Sequence, residues 1–296
     1  MTRRSALTVF ALSLLSLMVL TGIVLAILSP AGSGGGFGDR IAVVEVSGVI
    51  TDDAMLLEEL REYREDGRVR GFVVAINSPG GVVGPSQSIY RELRRLRESG
   101  RPVVAAIGGV GASGGYLVAL GADTILAMPG TLTGSIGVIM ELPNASELMD
   151  KVGVEVAVVK SSEHKDIGSP FRPLGEGDRA LLESLIQDVY GQFVDVVVEE
   201  RGLTREQVLA VADGRVISGQ RAVELGLVDG IGNMTDAVAM AGQMAGLGAD
   251  PDVLRRREDP PTLLDVLLSR TPLGRLRELS PLGELRTPTL KYVIPW

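Results

Sequence analysis

The sequence predicts an α/β fold with a mainly parallel β-sheet and crossover helices. Two observations predict it. Short, continuous apolar runs rich in β-branched residues recur at 41–46, 71–76, 103–107 and 123–127, as strands covered on both faces require. Longer stretches with apolar residues at helical spacing accompany them, notably 52–65, 85–99 and 178–201. A third observation sets one segment apart from this domain: no charged residue occurs between Arg4 and Asp39.

Taken in order, residues 6–28 are almost wholly apolar, and about 20 helical residues are enough to cross a bilayer core. Arg3, Arg4 and the amino terminus precede this run. The positive-inside rule therefore puts the N-terminus in the cytoplasm and the rest of the chain outside it. Residues 1–30 are read as an uncleaved transmembrane anchor in preference to a signal peptide, whose apolar region is shorter. Residues 31–39 form a Gly/Ser linker. The first helix of the domain carries Met55, Leu56, Leu57, Leu60 and Tyr63 on one side. The second strand ends in Asn77-Ser78-Pro79-Gly80-Gly81, and the helix after it carries Arg91, Arg94, Arg95 and Arg97. The third strand leads into Ala112-Ser113-Gly114-Gly115-Tyr116, where a further helix starts. A loop with Thr133-Gly134-Ser135-Ile136-Gly137 follows the fourth strand. A helix near 146–151, a strand at 154–159 and a polar loop at 161–174 come next. The long helix 178–201, with Leu181, Leu182, Leu185, Ile186, Val189, Phe193 and Val197 at helical spacing, and shorter ones at 204–212, 218–225 and 235–247 complete the domain, 40–250. Residues 251–296 read as a C-terminal extension with at most short amphipathic helices, punctuated by Pro281, Pro288 and Pro295.

Composition excludes several chemistries. There is no cysteine, so neither a disulfide nor thiolate catalysis is available. A net charge of −8 argues against a nucleic-acid partner. The chain has 25 arginines but only four lysines, Lys151, Lys160, Lys165 and Lys291, and one histidine, His164.

The stretch around Ser113 has the character of an acyl-transfer site. A serine at a strand–helix turn is exposed at the turn. The glycines after it let a bound carbonyl approach, and the first amides of the helix can hold a developing oxyanion. An ordinary turn with small residues has the same spelling. A serine nucleophile also needs a base. The candidates are His164 and its neighbour Lys165. A lysine base would need its pKa brought from ~10.4 down to ~7–8, which burial away from carboxylates can do. By itself, a loop lysine is as readily a solvated one.

Four blocks decide between these readings: Asn77 to Gly81, Ala112 to Tyr116, Thr133 to Gly137 and Lys165-Asp166-Ile167-Gly168-Ser169-Pro170. In this order they resemble signal peptide peptidase A, a family of membrane-anchored bacterial serine proteases with a Ser-Lys dyad. Its fold is related to Clp protease and crotonase. The resemblance runs from about 40 to 245 and, with no internal repeat, is to the half-length form. It implies Ser113 as nucleophile and Lys165, 52 residues further on, as general base. It implies Ser135 as the residue that orients the lysine amine, and the amides of Gly114 and Gly81 as the oxyanion hole. His164 becomes a bystander, and Asp166 is expected to point away from Lys165, because an inward carboxylate would stabilise the ammonium.

The expected function is thus a membrane-anchored endopeptidase that degrades cleaved signal peptides and other membrane-proximal peptides. The resemblance further implies a homo-oligomeric ring whose sites are shared between neighbouring subunits, with no cofactor and no metal. The alternatives are a crotonase-like acyl-CoA enzyme, which would need neither Ser113 nor Lys165, and a non-catalytic membrane scaffold of the same fold.

Overall fold

A computed structural model describes residues 38–256 and 290–293, together with Met18. The compact unit starts at Asp39. Its described elements begin with β1 (Arg40–Ser47), α1 (Ala54–Glu65), β2 (Val69–Ser78), β3 (Gly80–Val82), α2 (Val83–Glu98) and β4 (Val103–Ala112). They continue with α3 (Gly114–Ala119), β5 (Thr124–Ala127), β6 (Leu132–Gly134), α4 (Ser146–Val152), a single 3-10 turn at Glu163–Asp166 and the long α5 (Glu176–Arg201). The last are α6 (Arg205–Leu209), β7 (Val216–Ser218), α7 (Gly219–Glu224), β8 (Gly230–Ile231), α8 (Met234–Met244), β9 (Asp252–Arg255) and β10 (Lys291–Val293).

The main sheet runs β7-β6-β4-β2-β1-β9, with β5 and β8 branching from β4. Every pairing in it is parallel except β6 with β7. The expected α/β class with a mainly parallel sheet is therefore what the chain adopts. Strand residues alternate between two apolar layers. Ala42, Val44, Phe72, Val74, Ala105 and Ile107 face the larger core, which includes Leu93 of α2 and Phe193 of α5. Ile41, Val43, Val73, Val104 and Ala106 face Ala237 and Ala241 of α8. Cover on both faces explains why these strands read as unbroken apolar runs.

The helix spacing read from sequence is realised, and two of the arginines on α2 find partners on α5. Arg97 binds Glu200 at 2.7 Å and Arg94 binds Glu199 at 2.8 Å, which ties α2 to α5. Tyr116 of α3 is fully buried and donates its hydroxyl to the Leu227 carbonyl at 2.7 Å. Tyr116→Phe should cost about 1–2 kcal/mol in urea unfolding, since one buried carbonyl loses its donor. An unchanged unfolding midpoint would show that this bond contributes nothing.

Three expectations are not met in the described part. The strand at 154–159 does not form. It is irregular, with Val154, Val156, Val158 and Val159 exposed by 47%, 42%, 51% and 100%. A strand needs an edge to pair with, and none of the described strands lies against this segment. Leu181 and Leu185, spaced as core residues, are exposed on the first half of α5. The 251–296 segment is not simply an appended tail: β9 pairs with β1, and β10 pairs with β3. The anchor assigned to 1–30 lies outside the described residues. No helix among the described residues is long and apolar enough to cross a membrane.

Candidate active site

The site forms at the C-terminal end of the sheet, where β4 changes neighbours. Its first half pairs with β5 and its last residues pair with β6, so the sheet splits at this point. Two threonine hydroxyls hold the split: Thr131 donates to the Gly108 carbonyl at 2.6 Å and Thr133 to the Gly111 carbonyl at 2.7 Å. Ligands bind in such openings at the carboxyl ends of parallel strands.

Ser113 stands between β4 and α3 with φ 53° and ψ −117°. Ser135, just after β6, has φ 51°. These two serines are the only non-glycine residues with positive φ among the described residues. Such backbone costs of order 1–3 kcal/mol and persists where the surrounding structure enforces it. Here the enforcement is visible: Ser113 N donates to the Gly134 carbonyl and Ser135 N to the Arg215 carbonyl, both at 2.8 Å. The first bond also fastens the two serine segments side by side. Contrary to the exposure expected of a serine at such a turn, Ser113 is only 1% exposed, and its Oγ has no hydrogen-bond partner among the described residues. An unsatisfied buried hydroxyl is costly, and strand–helix turns of this kind present reactive serines.

The two glycines assigned to the oxyanion hole flank this serine. Gly114 opens α3, so its amide belongs to the unpaired first turn. The Gly80-Gly81 turn lies opposite. A Cβ built on Gly114 would stand 3.1 Å from the Gly81 nitrogen, and one built on Gly80 would stand 2.8 Å from the Gly114 nitrogen. The turn is held by Ser78 Oγ, which accepts from Gly80 N at 3.1 Å. Ser113, Ser135, Gly114 and Gly81 are thus gathered at one end of the sheet.

Lys165 is not brought to them within the single chain. It lies exposed on the 3-10 turn, while Ser113 Oγ is without a partner among the described residues. Its surroundings are nevertheless organised. Asp166 accepts from Lys160 at 2.7 Å and from Arg172 at 2.9 Å, so its carboxylate is committed away from Lys165. His164 Nδ1 lies 2.9 Å from Asp178 Oδ1, and Arg172 reaches Asp178 Oδ2 at 2.6 Å. His164 is therefore engaged with Asp178 at the start of α5. Hydrogen bonds from Arg172 and then Lys160 hold the Asp166 carboxyl below the usual range, and those from His164 and then Arg172 do the same for Asp178.

These lowered values have a defined sign. Each carboxylate adds stability above the ordinary aspartate pKa of about 3.9 and loses it only as pH falls through its own lower value. Hydrogen-exchange protection of 160–178 should therefore be level from pH 7 to about pH 4.5 and drop below that. Asp178→Asn should lower it already at neutral pH. Protection lost near pH 6 in the parent chain would contradict the assignment.

Sequence reasoning missed the part played by the C-terminal residues. Tyr292 is fully buried beside Phe193, with ring centroids 4.8 Å apart, and its strand lies against Gly80–Val82. The signal available was weak: a short apolar run, Leu290 to Ile294, between two prolines.

A strained serine turn facing glycine amides is the architecture of serine acyl transfer, and comparison with known proteins narrows the class. The family model of Peptidase family S49 matches residues 95–248. A Synechocystis relative bearing a protease name is 44% identical over 227 residues, covering 76% of this chain and 81% of its own length. Protease 4 of Salmonella typhi is 34% identical over 262 residues, covering 86% of this chain and 41% of that protein. The chloroplastic Serine protease SPPA of Arabidopsis thaliana is 32% identical over 246 residues, covering 78% of this chain and 36% of that protein. The chain belongs to peptidase family S49 as an SppA-like member, in agreement with the resemblance carried by its four blocks. It spans about two fifths of the length of the Salmonella and Arabidopsis relatives.

Proposed function

We propose that this protein is a serine endopeptidase with a Ser113–Lys165 dyad. Residues 1–30 anchor it in the membrane, the catalytic domain faces out of the cytoplasm, and its substrates are cleaved signal peptides and other membrane-proximal peptides. The observation that carries this reading is the buried, unpartnered Ser113 hydroxyl on a turn of positive φ, next to the Gly114 and Gly81 amides. The protease names of the relatives support it.

In this mechanism Ser113 Oγ adds to the substrate carbonyl carbon and its proton passes to the neutral Lys165 amine. The negative charge on the carbonyl oxygen falls on the two glycine amides. Collapse breaks the peptide bond as Lys165 protonates the leaving amine. Water then cleaves the acyl-serine with the same groups in reverse. Ser135 positions the lysine amine.

The lysine acts on the serine of a neighbouring copy in a ring. Two features support this arrangement. Lys165 is exposed in the single chain, and cover by a neighbouring copy would desolvate it enough to serve as a base. Exposed apolar residues also recur along the same stretch of sequence, among them Leu148, Val152, Phe171, Leu181 and Leu185.

A fluorophosphonate probe tests the reading. Labelling of the native chain should map to Ser113 and disappear in Ser113→Ala. Absence of labelling, with acyl-CoA turnover in its place, would favour the crotonase-like alternative. Inertness in both assays would favour the scaffold.

A further inference from the structure

Lys165 stands between two residues that are both turned into one polar cluster. His164 reaches Asp178 at 2.9 Å, and Asp166 is bound by Lys160 at 2.7 Å and by Arg172. The Asp166 and Asp178 side chains are 11% and 7% exposed, while Lys165 is exposed. The turn therefore puts the acids inside and the lysine outside.

Arg172 joins this cluster together. After the turn the chain bends back at Gly168, which takes φ 77°, and the Pro170 carbonyl is fixed by Ala145 N at 2.7 Å. The return brings the Arg172 guanidinium to Asp166. Its Nε donates to Asp166 Oδ2 at 3.0 Å and its Nη2 to Asp166 Oδ1 at 2.9 Å, a two-pronged grip. The same Nη2 lies 2.6 Å from Asp178 Oδ2 on α5. Among the described residues, Oδ2 of Asp166 has no other hydrogen-bond partner. The charges pair off evenly: Lys160 and Arg172 are the cations, Asp166 and Asp178 the anions, and neither carboxylate is left over for Lys165. Of the other charged groups nearby, Arg179 reaches Glu183 on its own helix. Glu163 and Glu176 are exposed and, among the described residues, have no side-chain bond into the cluster. Without Arg172, Oδ2 of Asp166 would be open one residue away from the amine, and a carboxylate there would hold the ammonium.

We infer that Arg172 is a positioning residue for the reaction: it binds Asp166 and Asp178 together, ties the lysine turn to α5 and keeps both carboxylates off the Lys165 amine. The inference rests on the Ser113–Lys165 reading above. Arg172 acts through the two acids, with no bond to Lys165 or Ser113 among the described residues. Its planar fork grips both Asp166 oxygens while bridging to Asp178, which a single ammonium does less well.

The test compares full-length chains on an internally quenched fluorogenic peptide: the parent, Arg172→Gln, Asp166→Asn and the double variant. Arg172→Gln should lower kcat about tenfold with KM within about twofold, because the freed carboxylate competes for the amine and substrate contacts are untouched. Adding Asp166→Asn should then raise kcat by about fivefold or more, although it removes the ion pair with Lys160 as well. A merely structural role predicts the opposite sign, a deeper loss in the double variant. A double variant no faster than Arg172→Gln would overturn the inference. Should Arg172→Gln melt early, Arg172→Lys takes its place: it keeps the charge and should lose about threefold, again relieved by Asp166→Asn. Lys165→Ala, assayed alongside, separates the two levels. Parental turnover in Lys165→Ala sinks the dyad reading. Loss of turnover there, with no relief of Arg172→Gln by Asp166→Asn, sinks the role of Arg172 alone.

Discussion

Ser113→Ala is expected to lower peptide hydrolysis by about 10⁴-fold or more while leaving the fold intact, since loss of a nucleophile leaves only the background supplied by binding and the oxyanion donors. The argument is geometric. The hydroxyl has no hydrogen-bond partner among the described residues, so its removal breaks no bond that the fold uses. The backbone strain stays, because alanine at φ 53° is no more comfortable than serine. Ser113→Gly separates the two effects. It should be equally inactive but at least as stable as Ser113→Ala, because glycine adopts positive φ without a Cβ clash. Hydrolysis rates and thermal melts of the three chains check this together. Residual hydrolysis within about tenfold of the parent in Ser113→Ala would remove Ser113 from the chemistry.

Lys165→Ala is expected to be the second large loss, about 10³-fold or more, because a serine hydroxyl without a base is a weak nucleophile. Its diagnostic value lies in mixing. Ser113→Ala chains retain the lysine and Lys165→Ala chains retain the serine. If each site takes one residue from each of two neighbours in a ring, co-assembled variants should regain about a quarter of parental activity by random pairing. If the dyad lies within one chain, mixing two dead variants restores nothing. The exposure of Lys165 and its separation from Ser113 in the single chain make the first outcome the expected one. An arginine at 165 should not replace the lysine, because guanidinium stays charged and cannot accept the serine proton.

Much of the fold was legible because parallel strands covered on both faces leave an unmistakable trace. The apolar runs near 41, 71, 103 and 123 became β1, β2, β4 and β5, and the periodic stretches became α1, α2 and α5. Ser113 was legible for the same reason: its block sits where a strand turns into a helix. The run at 154–159 misled, since β-branched residues signal capacity for pairing and cannot say whether an edge will be there. The short strands β3, β6, β7 and β8 were illegible. At two or three residues each, they owe their form to register with neighbours and not to their own composition.

The local order of residues by itself determined the class of fold and the placing of Ser113 and its glycine neighbours at a strand–helix turn, because period, turn chemistry and block order are properties of neighbouring residues. Tertiary structure alone decided that both Ser113 and Ser135 are held at positive φ, that Asp166 is spent on Lys160 and Arg172, and that Tyr292 returns to lie against Gly81. These are long-range facts: each depends on which distant backbone group or charge ends up within hydrogen-bond reach, and only packing of the whole sheet sets that distance.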